Sequence, residues 1–91
     1  MKTNEYLPIG SVVLVKEAEK KLMIIGIMPK SGEMTKDYIG VIYPEGYLDN
    51  EHFYMFDHSD IVEVSYIGLI DAEQQMFRVE LDKMLNEHAN D

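Results

Sequence analysis

The sequence contains no cysteine and no tryptophan, and only three of its 91 residues are proline. Without cysteine the chain forms neither a disulfide framework nor a thiolate metal site. Its apolar runs, such as Leu22–Met28, are far shorter than the roughly 20 residues that a membrane-spanning helix needs. The N-terminal residues also lack the apolar segment of a signal peptide. We therefore expect a protein that folds in the cytoplasm and inserts into no membrane.

Basic residues are also scarce. Eight lysines and arginines face 17 acidic residues, which gives a formal net charge of −9. This charge repels the phosphates of nucleic acids and of anionic membranes, which bind surfaces rich in lysine and arginine. We therefore expect neither nucleic acid nor membrane as a partner. A basic protein surface, in contrast, would be attracted.

Five short apolar segments, separated by turn-forming residues, occupy the first three quarters of the chain. Their β-branched and aromatic residues are typical of strands. The predicted strands are Ser11–Val15, Leu22–Met28, Tyr38–Tyr43, His52–Phe56 and Ile61–Ile67. Within the second strand, Gly26 indicates a bulge or a close approach of two backbones.

The hydrophobic period changes after Gly68. Asp71 and Gln74 have the spacing of a helix capping pair. Apolar residues then recur at helical spacing, at Phe77, Leu81, Met84 and Leu85. The pattern predicts a helix over residues 71–88 that docks its apolar stripe onto the rest of the protein.

These elements predict an α+β fold, in which a strongly bent, five-stranded antiparallel sheet or a partly open barrel precedes a C-terminal helix. The length predicts one domain over residues 1–91, with residues 1–6 flexible and residues 7–68 forming the sheet. The first two strands are apolar on both faces, whereas the helix has only one apolar stripe. Either helix and loops cover the remaining apolar surface, or part of it is left for a partner.

The segment from Tyr43 to Ile61 carries the densest set of functional groups. Its possible metal ligands or acid–base groups are Asp49, Glu51, His52, Asp57, His58 and Asp60. No recognised zinc-ligand spacing is present, and neither is a nucleophile elbow or a phosphate-binding loop. We therefore predict no catalytic residue, no cofactor and no metal, and we interpret residues 57–60 as a turn in which side chains bond to backbone amides.

Aromatic residues of the same segment are the other candidates for function. Tyrosine is enriched at protein interfaces because it combines apolar area with a polar end. Core packing is the competing explanation, because alternation along a strand sends one of Phe53 and Tyr54 inward and the other outward. The predicted partner-binding residues are Tyr43, Tyr47, Tyr54, Phe56 and His58.

Three segments of the sequence resemble a known family. They are LPIGSVVLVKEAEKKLMIIG, DYIGVIYPEGYL and FDHSDI, in that order. The chain resembles the domain-of-unknown-function 4176 family of Gram-positive bacteria from about Leu7 to Phe77. The resemblance implies a small accessory protein of the type VII (Esx-type) secretion system. Such proteins are linked with polymorphic toxins that carry an N-terminal LXG domain, as adaptors, targeting factors or chaperones. The family supplies no catalytic residues for this chain.

The leading hypothesis is thus a non-enzymatic, cytoplasmic adaptor that binds an LXG-type toxin, or another secretion accessory protein, before export. Co-export with the cargo and formation of a homodimer stay open. The alternative is an immunity-type protein that blocks the catalytic domain of a toxin, because small acidic proteins can occupy basic clefts. A small metal-dependent enzyme is the third hypothesis.

Overall fold

The computed structural model describes residues 6–27, 30–31 and 34–89, with side chains described for residues 6–27 and 35–84. Its strands are β1 (Val12–Val15), β2 (Leu22–Ile27), β3 (Lys30–Ser31), β4 (Met34–Thr35), β5 (Tyr38–Ile42), β6 (Tyr54–Phe56) and β7 (Ile61–Tyr66). A 3-10 helix at His58–Asp60 precedes β7, and the helix α1 covers Ala72–Ala89. Met28 of the predicted second strand lies outside the described residues.

Five of these strands form an open antiparallel sheet in the order β6-β5-β2-β1-β7. All five correspond to predicted strands, and α1 follows them, so the α+β prediction is confirmed. The sheet has two edges, at β6 and β7. The short β3–β4 ladder, which the sequence did not indicate, forms a separate two-stranded sheet.

Two ladders of the sheet are paired irregularly, β2–β5 and β1–β7. The β2–β5 register shifts between Ile24 and Gly26. The bulge that Gly26 indicated is therefore confirmed. A Cβ at Gly26 would lie 2.6 Å from Cγ2 of Ile39, so the atom close to Gly26 belongs to a side chain and not to a second backbone. The β1–β7 ladder contains two further shifts, and such bulges bend and twist a sheet.

The core lies on one face of the five-stranded sheet. Alternate residues of β1, β2, β5 and β6 point to this face, and residues from outside the sheet cover it. The buried core residues are Val13, Leu22, Ile24, Tyr38, Phe56, Tyr6 and Leu81. Tyr6, which we expected in the flexible N-terminal segment, is instead buried, because its ring packs edge-on against Tyr38 with centroids 5.6 Å apart. Residues 1–5 of that segment lie outside the described residues.

The helix docks on a stripe that differs from the predicted one. Leu81 is 4% exposed, but Phe77 and Met84 are 47% and 50% exposed. The stripe that faces the protein runs instead through Gln74, Arg78 and Leu81, at i, i+4 and i+7. The Arg78 guanidinium donates a hydrogen bond of 3.0 Å to the carbonyl of Tyr6, which fixes this rotation of the helix. The side chain of Leu85 lies outside the described residues.

None of the helical segments in the described ranges combines the length and the apolar character that crossing a bilayer requires.

Candidate protein-binding surfaces

Tyr38 is the centre of a satisfied polar cluster in the core. Its hydroxyl accepts a hydrogen bond of 2.9 Å from the backbone amide of Leu7 and lies 2.8 Å from Nδ1 of His58. Its ring packs on Phe56 with centroids 5.4 Å apart. Burial raises the pKa of Tyr38 to about 12, so the neutral phenol is the form that the fold favours. The cluster thus ties the N-terminal segment to β5 and to the 3-10 helix.

Asp37 joins the same elements from the other side. One carboxylate oxygen accepts a bond of 3.0 Å from the Tyr6 hydroxyl, and the other accepts one of 2.8 Å from the backbone amide of His58. Burial, together with the neighbouring carboxylate of Asp37, holds the pKa of Tyr6 well above its usual range. Each polar group here has a partner within the chain, which is the arrangement expected of a structural cluster.

The acidic residues at positions 57 and 60 also serve the fold. The Asp60 carboxylate accepts a bond of 3.0 Å from the backbone amide of Asp57 and lies 3.3 Å from Nζ of Lys16. These two contacts hold the pKa of the Asp60 carboxyl below its usual range. The interpretation of residues 57–60 as a turn closed by side-chain bonds to the backbone is confirmed. Across the described ranges no group of three or more His, Cys, Asp or Glu is placed to hold a metal ion.

A second, exposed turn accounts for other residues of this segment. Asp49 Oδ1 lies 2.6 Å from Nδ1 of His52 and accepts a bond of 2.8 Å from the amide of Glu51. These bonds hold the pKa of the Asp49 carboxyl below its usual range, with His52 as the larger cause. The Tyr47 hydroxyl donates to the side-chain oxygen of Asn50 at 2.8 Å. Asp49 and His52 are thus bonded to each other in a solvent-exposed turn.

The five predicted partner-binding residues do not form one surface. Tyr43, Tyr47 and Tyr54 are exposed, whereas His58 is half-buried and Phe56 is 4% exposed. Phe56 lies in the core because it is paired with Tyr38 across β5 and β6, so little of its side chain is exposed. Whether any of the five residues contacts a partner stays a prediction.

Two of the exposed tyrosines, Tyr43 and Tyr54, line different grooves. Tyr54 lines a groove of about 470 Å³ on the core face, beside Leu22, Ile42 and Phe56. Tyr43 lines a groove of about 390 Å³ on the opposite face. Both faces of the sheet therefore keep accessible apolar area, as the apolar pattern of the first two strands allowed.

Further exposed apolar side chains lie in β7, in the segment that follows it and at the start of α1. We call this region the C-terminal apolar surface. Its residues are Val62, Val64, Tyr66, Ile67, Leu69, Ile70, Met76 and Phe77, each at least 44% exposed. Leu69 is the most exposed of them, at 73%. The signal was present in the sequence, because apolar residues at 66, 67, 69 and 70 fit neither a strand with one wet face nor a single helical stripe.

Ser11 and Gly68 fix the position of this surface. The buried hydroxyl of Ser11 donates to the Pro8 carbonyl at 2.8 Å and accepts from the Gly68 amide at 2.9 Å. A Cβ at Gly68 would overlap the carbonyl oxygen of Ile9. Glycine is therefore required where the chain leaves β7, because only glycine lets the two backbones cross this closely.

This crossing creates a groove at the N-terminal end of α1, which we call the α1 groove. It encloses about 490 Å³ and is lined by Pro8, Ile9, Ile27, Leu69, Asp71, Glu73, Gln74 and Phe77. Asp71 caps the helix, because its Oδ1 accepts a bond of 2.9 Å from the Gln74 amide, as the sequence predicted. The Gln74 side-chain oxygen is buried and has no hydrogen-bond partner among the described residues.

Comparison with known proteins identifies one family for this chain. No curated protein and no solved structure matches it. A family described as a domain of unknown function, DUF4176, matches residues 6–77. The match covers the sheet, both backbones at the Gly68 crossing and the whole lining of the α1 groove, and it ends early in α1. The chain therefore belongs to the DUF4176 family.

Proposed function

We propose that this protein is a non-enzymatic adaptor that binds a protein partner through its C-terminal apolar surface. The partner we propose is an LXG-type toxin, held in the cytoplasm before export by a type VII secretion system. The observation that carries the proposal is the run of exposed apolar side chains from Val62 to Phe77. Membership of the DUF4176 family, with the role that the sequence resemblance implies for it, supports this choice of partner.

A concentration of exposed large apolar side chains in one stretch of a small protein supports an interaction site, because monomers rarely leave large apolar patches in water. Burial of one such side chain stabilises a complex by about 1.5–3 kcal/mol. Leu69 and Ile70 stand in a segment that is neither strand nor helix, so they can adjust to a partner without breaking the sheet. A long amphipathic helix of the partner is the kind of element that such a surface accommodates.

Charge favours a partner of opposite sign. The formal net charge is −9, and Asp71 and Glu73 line the α1 groove together with the exposed Leu69. A basic partner would therefore be steered towards this protein and would associate faster at low ionic strength.

Co-purification with separate halves of the toxin encoded beside this protein tests the proposal. We expect a stable complex with the N-terminal, LXG-containing half on size exclusion. Leu69→Ser should weaken that complex about tenfold, because each 1.4 kcal/mol of lost apolar burial is a factor of ten. Leu48→Ser, the same change at an exposed position beside the Asp49 turn, is the matched control.

Retention by the C-terminal half alone would replace the adaptor with an immunity protein. Binding to neither half, with the protein folded, would overturn the proposal.

A further inference from the structure

We propose that the α1 groove receives a lysine or arginine side chain of the protein partner. The inference rests on the proposed function, because it names the chemistry by which the adaptor would recognise an amphipathic segment. Binding of such a side chain requires a groove that has apolar walls, has acceptor groups at one end and is lined by no basic residue. The α1 groove has these three features among its described lining residues.

The walls fit the aliphatic part of such a side chain. Ile9, Leu69 and Phe77 are each about half exposed or more, and Ile27 and Pro8 close the floor. Lysine and arginine carry three or four methylene groups that pack along apolar surfaces while the charged head reaches a polar end. A segment that lies on the C-terminal apolar surface can therefore extend one basic side chain into the groove.

The polar end of the groove carries two carboxylates, of Asp71 and Glu73, at the start of α1. The Gln74 side-chain oxygen, in the same lining, is buried without a partner among the described residues. One turn further along the helix, Nη2 of Arg78 donates to the Tyr6 carbonyl, and the buried Nε of Arg78 has no partner among the described residues. A buried acceptor without a partner is rare in a folded protein, and a bound donor would satisfy it.

The opposite ligand, an anion, is the natural competitor at a helix N-terminus, where backbone amides and the helix dipole attract negative charge. At the N-terminus of α1 the Asp71 carboxylate already occupies the position of such an anion, because it accepts a hydrogen bond of 2.9 Å from the Gln74 amide. A second anion would face two carboxylates at close range. The groove therefore selects a cation with an apolar stem.

Two small probes test this inference without the toxin: N-acetyl-arginine methylamide and N-acetyl-citrulline methylamide, titrated onto isotopically labelled protein and followed by NMR. Citrulline keeps the shape of arginine and removes its charge. We expect the arginine probe to shift the amide signals of Leu69, Gln74 and Phe77, and the citrulline probe to bind at least several-fold more weakly. Equal binding of both probes, shifts confined to other regions, or no shifts would overturn the inference.

Charge reversal provides the test in the complex. Glu73→Lys should weaken binding of the toxin's N-terminal half about tenfold, whereas Glu51→Lys, the same change in the exposed Asp49 turn, should leave binding within about twofold. Glu73→Gln should give an intermediate loss, and thermal unfolding checks that each variant folds.

If the toxin half binds and Glu73→Lys has no effect, the inference fails and the adaptor proposal stands. If the toxin half does not bind, the adaptor proposal fails and the probe titration still decides the chemistry of the groove.

Discussion

The Tyr38 cluster and the C-terminal apolar surface are built on opposite principles within one small sheet. Around Tyr38 each side chain finds its partner inside the chain: the hydroxyl bonds to Leu7 and lies against His58, and Asp37 serves both Tyr6 and His58. From Val62 to Phe77, large apolar side chains stay in solvent. The polar groups of the first region are satisfied within the chain, whereas the second region leaves large apolar side chains accessible.

The difference arises because a single helix covers only part of the apolar surface of the sheet. Both faces of β1 and β2 are apolar, and α1 covers part of one face only, through Leu81. The rotation of α1 set by Arg78 then leaves Phe77 and Met84 half exposed. Among the described residues no other element covers β7, and the four predictions that follow test this difference between the two regions.

The largest effect is expected at the crossing that joins the two regions. Gly68→Ala should lower the free energy of unfolding by roughly 3 kcal/mol or more, because its Cβ would meet backbone atoms of Ile9 that cannot turn away. Gly46→Ala is the matched control, because Gly46 has φ +76° and open space around it. Only the left-handed backbone conformation should then reduce the free energy of unfolding, by about 1 kcal/mol. Chemical denaturation measures both, and equal losses would contradict the close crossing.

The next largest effect on stability is expected on the buried stripe of α1, which differs from the predicted stripe. Leu81→Ala should destabilise the fold by about 2–3 kcal/mol, because a buried leucine is replaced by a cavity. Met84→Ala, one turn along the predicted stripe but half exposed, should cost less than about 1 kcal/mol. The same denaturation experiment compares them. A larger loss for Met84→Ala would mean that the helix docks on the stripe the sequence indicated.

The Tyr38 cluster should show its role in stability and in pH dependence. Tyr38→Phe should cost about 2 kcal/mol, because it leaves the Leu7 amide without its acceptor, and Tyr54→Phe, at an exposed position, should change stability by less than about 0.5 kcal/mol. The pKa of Tyr38 is raised to about 12, against about 10 in an unfolded chain. Its contribution is therefore complete below about pH 10 and is lost as the pH rises towards 12.

Free energies of unfolding measured from about pH 8 upward check the predicted loss of stability with rising pH. The alkaline loss of stability should be smaller in Tyr38→Phe than in the unmodified protein, with the remainder coming from Tyr6, whose pKa is also raised. An identical alkaline loss in both proteins would show that Tyr38 is not the titrating group.

The smallest effect on stability is expected on the C-terminal apolar surface. Leu69→Ser should change the free energy of unfolding by no more than about 0.5 kcal/mol, because its side chain is 73% exposed in the free protein. The same change should weaken the complex with the partner, as proposed above. A large loss of stability in the free protein would mean that this surface is already covered and would remove its contrast with the Tyr38 cluster.

Much of the fold could be read from local patterns. The strands formed where β-branched and aromatic residues lie between turn residues, and Asp71 capped the helix where the capping pair stood. The β3–β4 ladder was not predicted because two-residue strands carry no periodicity. The burial of Tyr6 was not predicted either, because it depends on Tyr38 and Asp37, which are more than 30 positions away.

The candidate site shows the same limit. The aromatic residues from Tyr43 to His58 stand close in sequence, but the sheet sends Phe56 into the core and separates Tyr43 from Tyr54 on opposite faces. The α1 groove joins Pro8, Ile9 and Ile27 with residues 69 to 77, and no local pattern connects these segments.

The sequence by itself determined the five longer strands and the helix, the strong negative charge and the surplus of apolar residues, because each depends on residue type and short-range spacing. Only the tertiary structure decided which apolar residues are covered. The Gly68 crossing and the bond from Arg78 to Tyr6 set the path and rotation of α1, and both are contacts between residues far apart in the chain. Burial follows from those contacts, so the sequence showed the unusual run of apolar residues from 66 to 70, and only the folded chain shows that their side chains stay exposed.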